Sequence, residues 1–235
     1  MLRKRYRNEW KYLCGEKTRT LLYERLRQVL IPDEHSGPDE SYTVHSLYFY
    51  DLTDSCAQDN EAGTDPRKKY RIRCYGEDTG SLHLERKEKV YGKSRKLSCP
   101  LSREEYRMIL DGEAPDLYWQ TKEDLTRRLC AVIMTRFFSP KIALEYNRTA
   151  LIDPAINVRI TMDSSIFAAA STYGFPTPDG SPSVPLLSEK DCILEVKFDD
   201  ILPGWLHTLL ESVPLQQIPF SKYYLGRKKL EEMYR

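Results

Sequence analysis

Along most of the chain, apolar and polar residues alternate one for one, the pattern of strands with two unlike faces. In 5–13 (RYRNEWKYL), Arg5, Arg7, Glu9 and Lys11 fall on one side, and Tyr6, Trp10 and Tyr12 on the other. Residues 69–75 (KYRIRCY) set Lys69, Arg71 and Arg73 against Tyr70, Ile72 and Cys74. Residues 81–89 place His83, Glu85, Lys87 and Lys89 opposite Leu82 and Leu84, and the GEDTG link at 76–80 joins these two runs as a hairpin. Residues 42–50, 141–150, 156–163 and 191–198 read as further strands. Helical spacing is rarer. Leu22, Leu26, Val29 and Leu30 make one stripe in 17–30. Ser102 and Glu105 form a capping box at the start of 102–111, with Leu101 and Tyr106 as its staple. Helices are also expected over 121–137 (opening Thr121-x-x-Asp124), 203–212 and 222–234, the last with Leu225, Leu230 and Met233 inward and the rest solvated. The segments 51–66 and 171–190 read as surface loops. No break divides the chain into two cores. Many antiparallel strands with a few helices imply one α+β domain over 1–235, with a closed antiparallel β-barrel as a candidate form.

Composition narrows the class. The 235 residues contain no apolar run long enough for a transmembrane helix, and the basic opening MLRKRYRNEWKYL has no apolar stretch of the kind a secretory signal needs. Six scattered cysteines (14, 56, 74, 99, 130, 192) form no C-x-x-C pair and read as reduced thiols in a cytoplasm. The four histidines lack metal-ligand spacing. Trp10, Trp119 and Trp205 are expected to serve packing.

The net charge of +1 hides strong segregation: 66–96 carries eleven Lys/Arg and four acids, whereas 33–65 carries nine acids and no Lys or Arg. The strand pattern aligns the ionic groups in rows: Glu9 with Lys11; Arg71 with Arg73; Glu85 with Lys87; Tyr146 with Arg148; Arg159 with Asp163; Glu195 with Lys197. Any one row is what an antiparallel sheet with a wet face gives by default. Closed with these faces inward, the same sheet would enclose a cationic channel suited to a polyanion, and severely self-repelling without one. A nucleic-acid groove would want aromatics on the basic face, whereas most aromatics fall on the opposite one, so nucleic acid is not the expected polyanion.

The succession KYRIR (69–73), LERKEK (84–89), EYNRTA (145–150), VRITMD (158–163), ILEVK (193–197) and FSKYYLGR (220–227) resembles the catalytic domain of the vacuolar transporter chaperone (VTC) family, from about Arg5 to Arg227. That family belongs to the triphosphate tunnel metalloenzymes, or CYTH superfamily. The resemblance implies a closed tunnel of eight antiparallel strands with helices packed outside. It also implies the making of inorganic polyphosphate from ATP. Carried over by position, it assigns phosphate binding to Lys11, Arg71, Arg73, Lys87, Lys96, Arg148, Arg159 and Lys222, with Tyr146 and Lys197 on the same rows. It assigns a divalent Mn²⁺ or Mg²⁺ to Glu195. The superfamily's opening Glu-x-Glu-x-Lys here reads Arg7-x-Glu9-x-Lys11, without its first Glu. The family's membrane helices and phosphate-sensing domain have no counterpart in these residues, so direct membrane coupling is not implied, while a membrane partner and the oligomeric state stay open. An inorganic triphosphatase and a non-catalytic polyphosphate-binding module remain alternatives.

Overall fold

The computed structural model describes residues 6–52, 66–76, 78–170, 172, 175–176 and 182–233. Arg5, Cys56, Glu77, most of the expected 51–66 loop and part of the expected 171–190 loop lie outside them. The described residues form eleven strands and six helices. They are β1 (Asn8–Gly15), α1 (Glu16–Leu26), β2 (Ile31–Pro32), β3 (Ser41–Tyr50), β4 (Arg67–Tyr75), β5 (Asp78–Val90) and β6 (Lys93–Leu101). Then come α2 (Arg103–Leu110), α3 (Ala114–Gln120), α4 (Asp124–Arg136), β7 (Ser139–Asp153), β8 (Val158–Ala169), β9 (Ser183–Pro185) and β10 (Asp191–Phe198). The chain ends on α5 (Gly204–Glu211), β11 (Gln216–Gln217) and α6 (Lys222–Met233).

All pairings are antiparallel, in the spatial order β11-β1-β10-β8-β7-β3-β4-β5-β6, with β2 beside β7 and β9 beside β8. The expected closed eight-stranded barrel is not what forms. The sheet is an open path whose ends meet only at one bridge, where Arg7 and Ser94 exchange backbone N–H···O bonds of 2.8 Å. The reason lies on the outer edge of β1. Gln216 and Gln217 pair with Leu13 and Tyr12, and Ile218 N–H donates to the Lys11 carbonyl at 2.9 Å. That stretch of edge is taken by β11, so only the start of β1 is left for β6.

The alternation sorts side chains into an outer and a concave face. On the outer face, Leu47, Phe49, Ile72 and Leu84 pack under Ile109 of α2, Leu117 of α3 and Leu129 of α4. Ile160, Met162, Leu194 and Val196 pack under Leu22 and Leu26 of α1 and Leu206 and Leu210 of α5. The capping box forms: Glu105 N–H donates to Ser102 Oγ at 3.0 Å, and Ser102 N–H to Glu105 Oε2 at 2.9 Å. α4 begins three residues later than Thr121 suggested, because the unexpected α3, opened by Pro115, ends there. Trp119 does not pack as expected. It is 81% exposed, because α3 turns Ala114 and Leu117 to the core and Trp119 away from it.

α6 departs from the expectation that helices lie outside. It seats against the concave face, where Tyr223 stacks on Tyr50 at 3.8 Å and Tyr223, Gly226 and Leu230 are buried. Gly226 permits this approach: a Cβ there would stand 2.6 Å from Ile142 Cδ1 and 3.1 Å from Ala168 Cβ. Together with Ile142, Leu144, Ile166, Ala168 and Ile193, α6 fills one part of the concavity with apolar side chains. The ionic residues line the rest. Among the described residues, no helix is long and apolar enough to cross a membrane. Cys14, Cys74, Cys99, Cys130 and Cys192 are free thiols.

Candidate functional site

Strand alternation brings the ionic rows together on the concave face, where they condense into four knots, each built on buried carboxylates. The first joins β1, β5 and β10. Glu9 accepts Lys87 Nζ on both oxygens at 2.7 Å and lies 3.2 Å from Lys11 Nζ. Glu195 lies 3.4 Å from Lys11 and 2.5 Å from Lys197. Lys11 also donates to the Phe220 carbonyl, just before α6, at 2.8 Å. Burial alone would raise the carboxyl pKa values, but the lysines outweigh it. Glu9 is brought down to about 2, and Glu195 is held well below the usual range by Lys197, Lys11 and Lys87. For Lys197, burial wins over the pull of Glu195 and Glu9, and its pKa drops to about 8.

The second knot centres on Glu85, which is 1% exposed. It accepts Arg71 Nε and Lys96 Nζ at 2.7 Å each and Tyr75 OH at 3.2 Å, with Arg73 at 3.5 Å. Arg71 donates to Tyr48 OH at 2.9 Å; Arg73 donates to Ser46 Oγ at 3.0 Å and Tyr146 OH at 2.9 Å. Against the upward push of burial, Arg71, Arg73 and Lys96 hold the Glu85 carboxyl well below its ordinary pKa. Burial would likewise raise Tyr48, yet Arg71 and Arg73 bring its phenol down to about 7.

In the third knot, Arg148 forks onto both Asp163 oxygens at 2.7 and 2.8 Å, and Lys222 reaches Oδ2 at 2.5 Å. Both cations also lie over the Tyr146 ring, at 5.2 and 4.7 Å from its centroid. In the fourth, Arg159 donates to Asp33 at 2.5 Å and to Tyr42 OH at 3.1 Å, while Tyr42 donates to Asp33 at 2.9 Å.

The structure thus places Lys11, Arg71, Arg73, Lys87, Lys96, Tyr146, Arg148, Arg159, Glu195, Lys197 and Lys222 on one concave face. Apart from Glu195, sequence reasoning assigned no site role to the acids that hold these cations. Glu9, Glu85 and Asp163 sat in the alternating rows and could have been found by asking which carboxylate faces each base. Asp33 follows the two-residue β2 in a run of acids, and nothing in its neighbourhood marked it. The expected placement of aromatics needs correction too: Tyr42 and Tyr48 join the expected Tyr146 on the ionic face, and all three hydroxyls are bonded to arginines.

Among the described residues, no cluster of three or more His, Cys, Asp or Glu could cage a metal. Glu9 and Glu195, both ionised and bound to a common Lys11, supply two hard oxygen donors. This fits Mg²⁺ or Mn²⁺ chemistry, in which one or two carboxylates are completed by phosphate oxygens and water.

Comparisons with known proteins bear on the fold and the family. A candidate adenylate cyclase from Bacillus halodurans superposes with a TM-score of 0.55 at 14% identity, covering 93% of this chain and 95% of its own, which shows a shared fold. A Pyrococcus horikoshii protein aligns at 12% identity and a TM-score of 0.47, covering 96% of this chain and 98% of its own. No curated protein matches by sequence. The VTC-domain model matches residues 6–231, nearly the whole of the fold that carries the four knots, and the chain therefore belongs to the VTC-domain family of polyphosphate-related tunnel-fold proteins.

Proposed function

We propose that the protein is a phosphotransferase that passes the γ-phosphoryl group of ATP to a growing inorganic polyphosphate chain. One observation carries the reading. Nine cations (Lys11, Arg71, Arg73, Lys87, Lys96, Arg148, Arg159, Lys197, Lys222) face one concavity with five carboxylates (Glu9, Asp33, Glu85, Asp163, Glu195), leaving four positive charges in excess. A linear polyanion is the ligand that such a surface fits.

Phosphoryl transfer asks a protein chiefly for positioning and charge compensation. In this reading Arg71, Arg73, Lys87, Arg148 and Lys222 grip the triphosphate, with the planar guanidiniums each able to take two oxygens. Tyr48 and Tyr146, already hydrogen-bonded to Arg71 and Arg73, hold these guanidiniums in place. The bond between the γ-phosphorus and the β,γ-bridging oxygen breaks, its electron pair leaving with ADP. A new bond forms from a terminal oxygen of the chain to the same phosphorus. That oxygen is ionised near neutral pH, so no general base is needed. A divalent ion held by Glu9 and Glu195 would supply further charge compensation at the phosphate oxygens.

Hydrolysis is the second reading. A hydrolase must orient and activate water, usually with extra carboxylates. Here Arg7 stands in place of the superfamily's first Glu and is engaged with Asp199 at 3.2 Å, and Lys197 sits against Glu195. Both features favour anion binding over water activation. Incubation with ATP and Mn²⁺, followed by phosphorus NMR and gel analysis, tests the proposal. Long-chain phosphoanhydride signals with ADP are expected. Orthophosphate alone would mean a triphosphatase, and unchanged ATP with tight polyphosphate binding would mean a binding module.

A further inference from the structure

We infer that Thr161 is a phosphate ligand of the concavity, its hydroxyl donating to a phosphoryl oxygen beside the Nε–H of Arg159. The inference rests on the phosphate-binding reading above and adds to it a residue that is neither charged nor engaged by the protein. Val158, Ile160 and Met162 of β8 pack outward beneath α1 and α5, so Arg159, Thr161 and Asp163 face the concavity. Arg159 and Asp163 are both held in ionic knots there. Thr161 is 1% exposed, yet its Oγ1 has no hydrogen-bond partner among the described residues. Two positions earlier on the same face, Arg159 Nε is equally buried and unpartnered, while its Nη2 is held by Asp33 and Tyr42. Two donors on one strand face thus have nothing among the described residues to receive them.

The neighbours say what belongs there. In register with Thr161 stand Ala150 on β7 and Glu195 on β10. On one flank the alanine offers no polar side-chain partner to the hydroxyl. On the other, Glu195 is already engaged by Lys11 and Lys197. A hydroxyl and a guanidinium N–H set among lysines and arginines suit an anionic tetrahedral oxygen. An unmet buried hydroxyl weakens a fold, whereas valine has the same outline and nothing to satisfy. Thr161 therefore costs the ligand-free protein stability and contributes only when a ligand is bound. The two effects of removing it carry opposite signs.

The test compares wild type, T161V, T161A and T161S, measuring tripolyphosphate binding by calorimetry without metal and thermal unfolding without ligand. T161V is expected to bind about tenfold more weakly, or ~1.4 kcal/mol, while its ligand-free Tm is unchanged or higher. T161S should stay within about threefold of wild type, since one charge-assisted hydrogen bond is at stake. T161A removes the same hydroxyl and carries the same affinity expectation should T161V fold poorly. Wild-type affinity in T161V and T161A would overturn the assignment and leave a hydroxyl satisfied by water. Loss of affinity that tracks loss of ligand-free stability, unrescued in T161S, would also overturn it as a packing effect. If wild type itself ignores tripolyphosphate, the phosphate-binding reading falls first, and this inference falls with it.

Discussion

Replacing Glu85 by Gln isolates the role of the internal carboxylates. Glu85 is 1% exposed and touches Arg71 through Nε and Nη2 at 2.7 Å, Lys96 at 2.7 Å and Arg73 at 3.5 Å. Lys96 is 43% exposed at its side chain, so water screens most of its share. Arg71 and Arg73 are 13% and 5% exposed, and the variant leaves both without their countercharge. Removing one partner of a buried pair costs about 3–5 kcal/mol. For a chain of this size, each kcal/mol moves Tm by roughly 2–4 °C, so E85Q should unfold about 6–20 °C lower. The sign of the pH dependence follows from the depressed carboxyl. Its stabilisation is fully present above the usual carboxyl pKa near 4.5 and is lost as pH falls toward the lower folded value, so the two proteins should converge in acid. Tripolyphosphate should stabilise the variant more than wild type, because no carboxylate then competes with phosphate for the Arg71 and Arg73 guanidiniums. Each tenfold gain in affinity adds ~1.4 kcal/mol at saturating ligand. Differential scanning calorimetry with and without tripolyphosphate reads both quantities. A Tm within about 2 °C of wild type, or an equal ligand-induced shift, would refute the view of Glu85 as an internal counterion.

The knot at β1 and β10 carries two further expectations. E195Q should lose most turnover and its response to added Mn²⁺, measured as ADP release against metal concentration; ordinary metal dependence in the variant would remove Glu195 from the metal site. Lys197, lowered by burial to about 8, should discharge as pH rises through that value, so tripolyphosphate affinity should fall between about pH 7 and 9 in wild type. In K197R, whose side chain stays charged, the step should be absent. The folded pKa lies below the ordinary 10.5, so ligand-free stability should rise over the same interval and up to that pH. G226A should lower stability by about 1–3 kcal/mol through overpacking against Ile142 and Ala168, read from chemical denaturation. An unchanged midpoint would mean that α6 does not press on the sheet so closely.

The strands were readable because their periodicity is local. The 69–75 and 81–89 runs became β4, which starts two residues earlier, and β5, longer at both ends, with the faces that alternation implied. β6 escaped notice although Leu97, Cys99 and Leu101 alternate with Lys96, Ser98 and Pro100; the proline reads as a break, but an edge strand tolerates it. The inner seat of α6 could not be seen in its own sequence. Leu225 and Leu230 say that the helix has an apolar side, but the partner surface (Ile142, Leu144, Ala168) lies far earlier in the chain. Openness of the sheet was equally hidden, since it turns on two residues of β11 claiming the edge of β1. Within the site, the bases stood out as rows. Their countercharges did not, because pairing Arg159 with Asp33 spans 126 positions and leaves no periodic trace.

Those countercharges change what binding must accomplish. Nine cations facing one cavity would repel strongly if left bare, yet each carboxylate here engages at least one of them, and Glu9, Glu85, Asp163 and Glu195 engage two or more. The ligand-free concavity is therefore held by exchangeable internal salt bridges. A phosphate chain entering it would trade places with carboxylates it cannot expel from the fold. If Glu9 and Glu195 hold the proposed divalent ion, Lys11, Lys87 and Lys197 would be released toward phosphate, and binding at the two places would become mutually reinforcing. Where no such outlet exists, as at Asp163 clamped by Arg148 and Lys222 at 2.5–2.8 Å, the carboxylate keeps its partners oriented and tempers their grip. In the proposed reaction, a polymer would have to move along this surface after each addition. A lining of bare cations would bind too tightly for that, whereas cations able to fall back onto Glu85 or Glu9 would release one phosphate as they take the next.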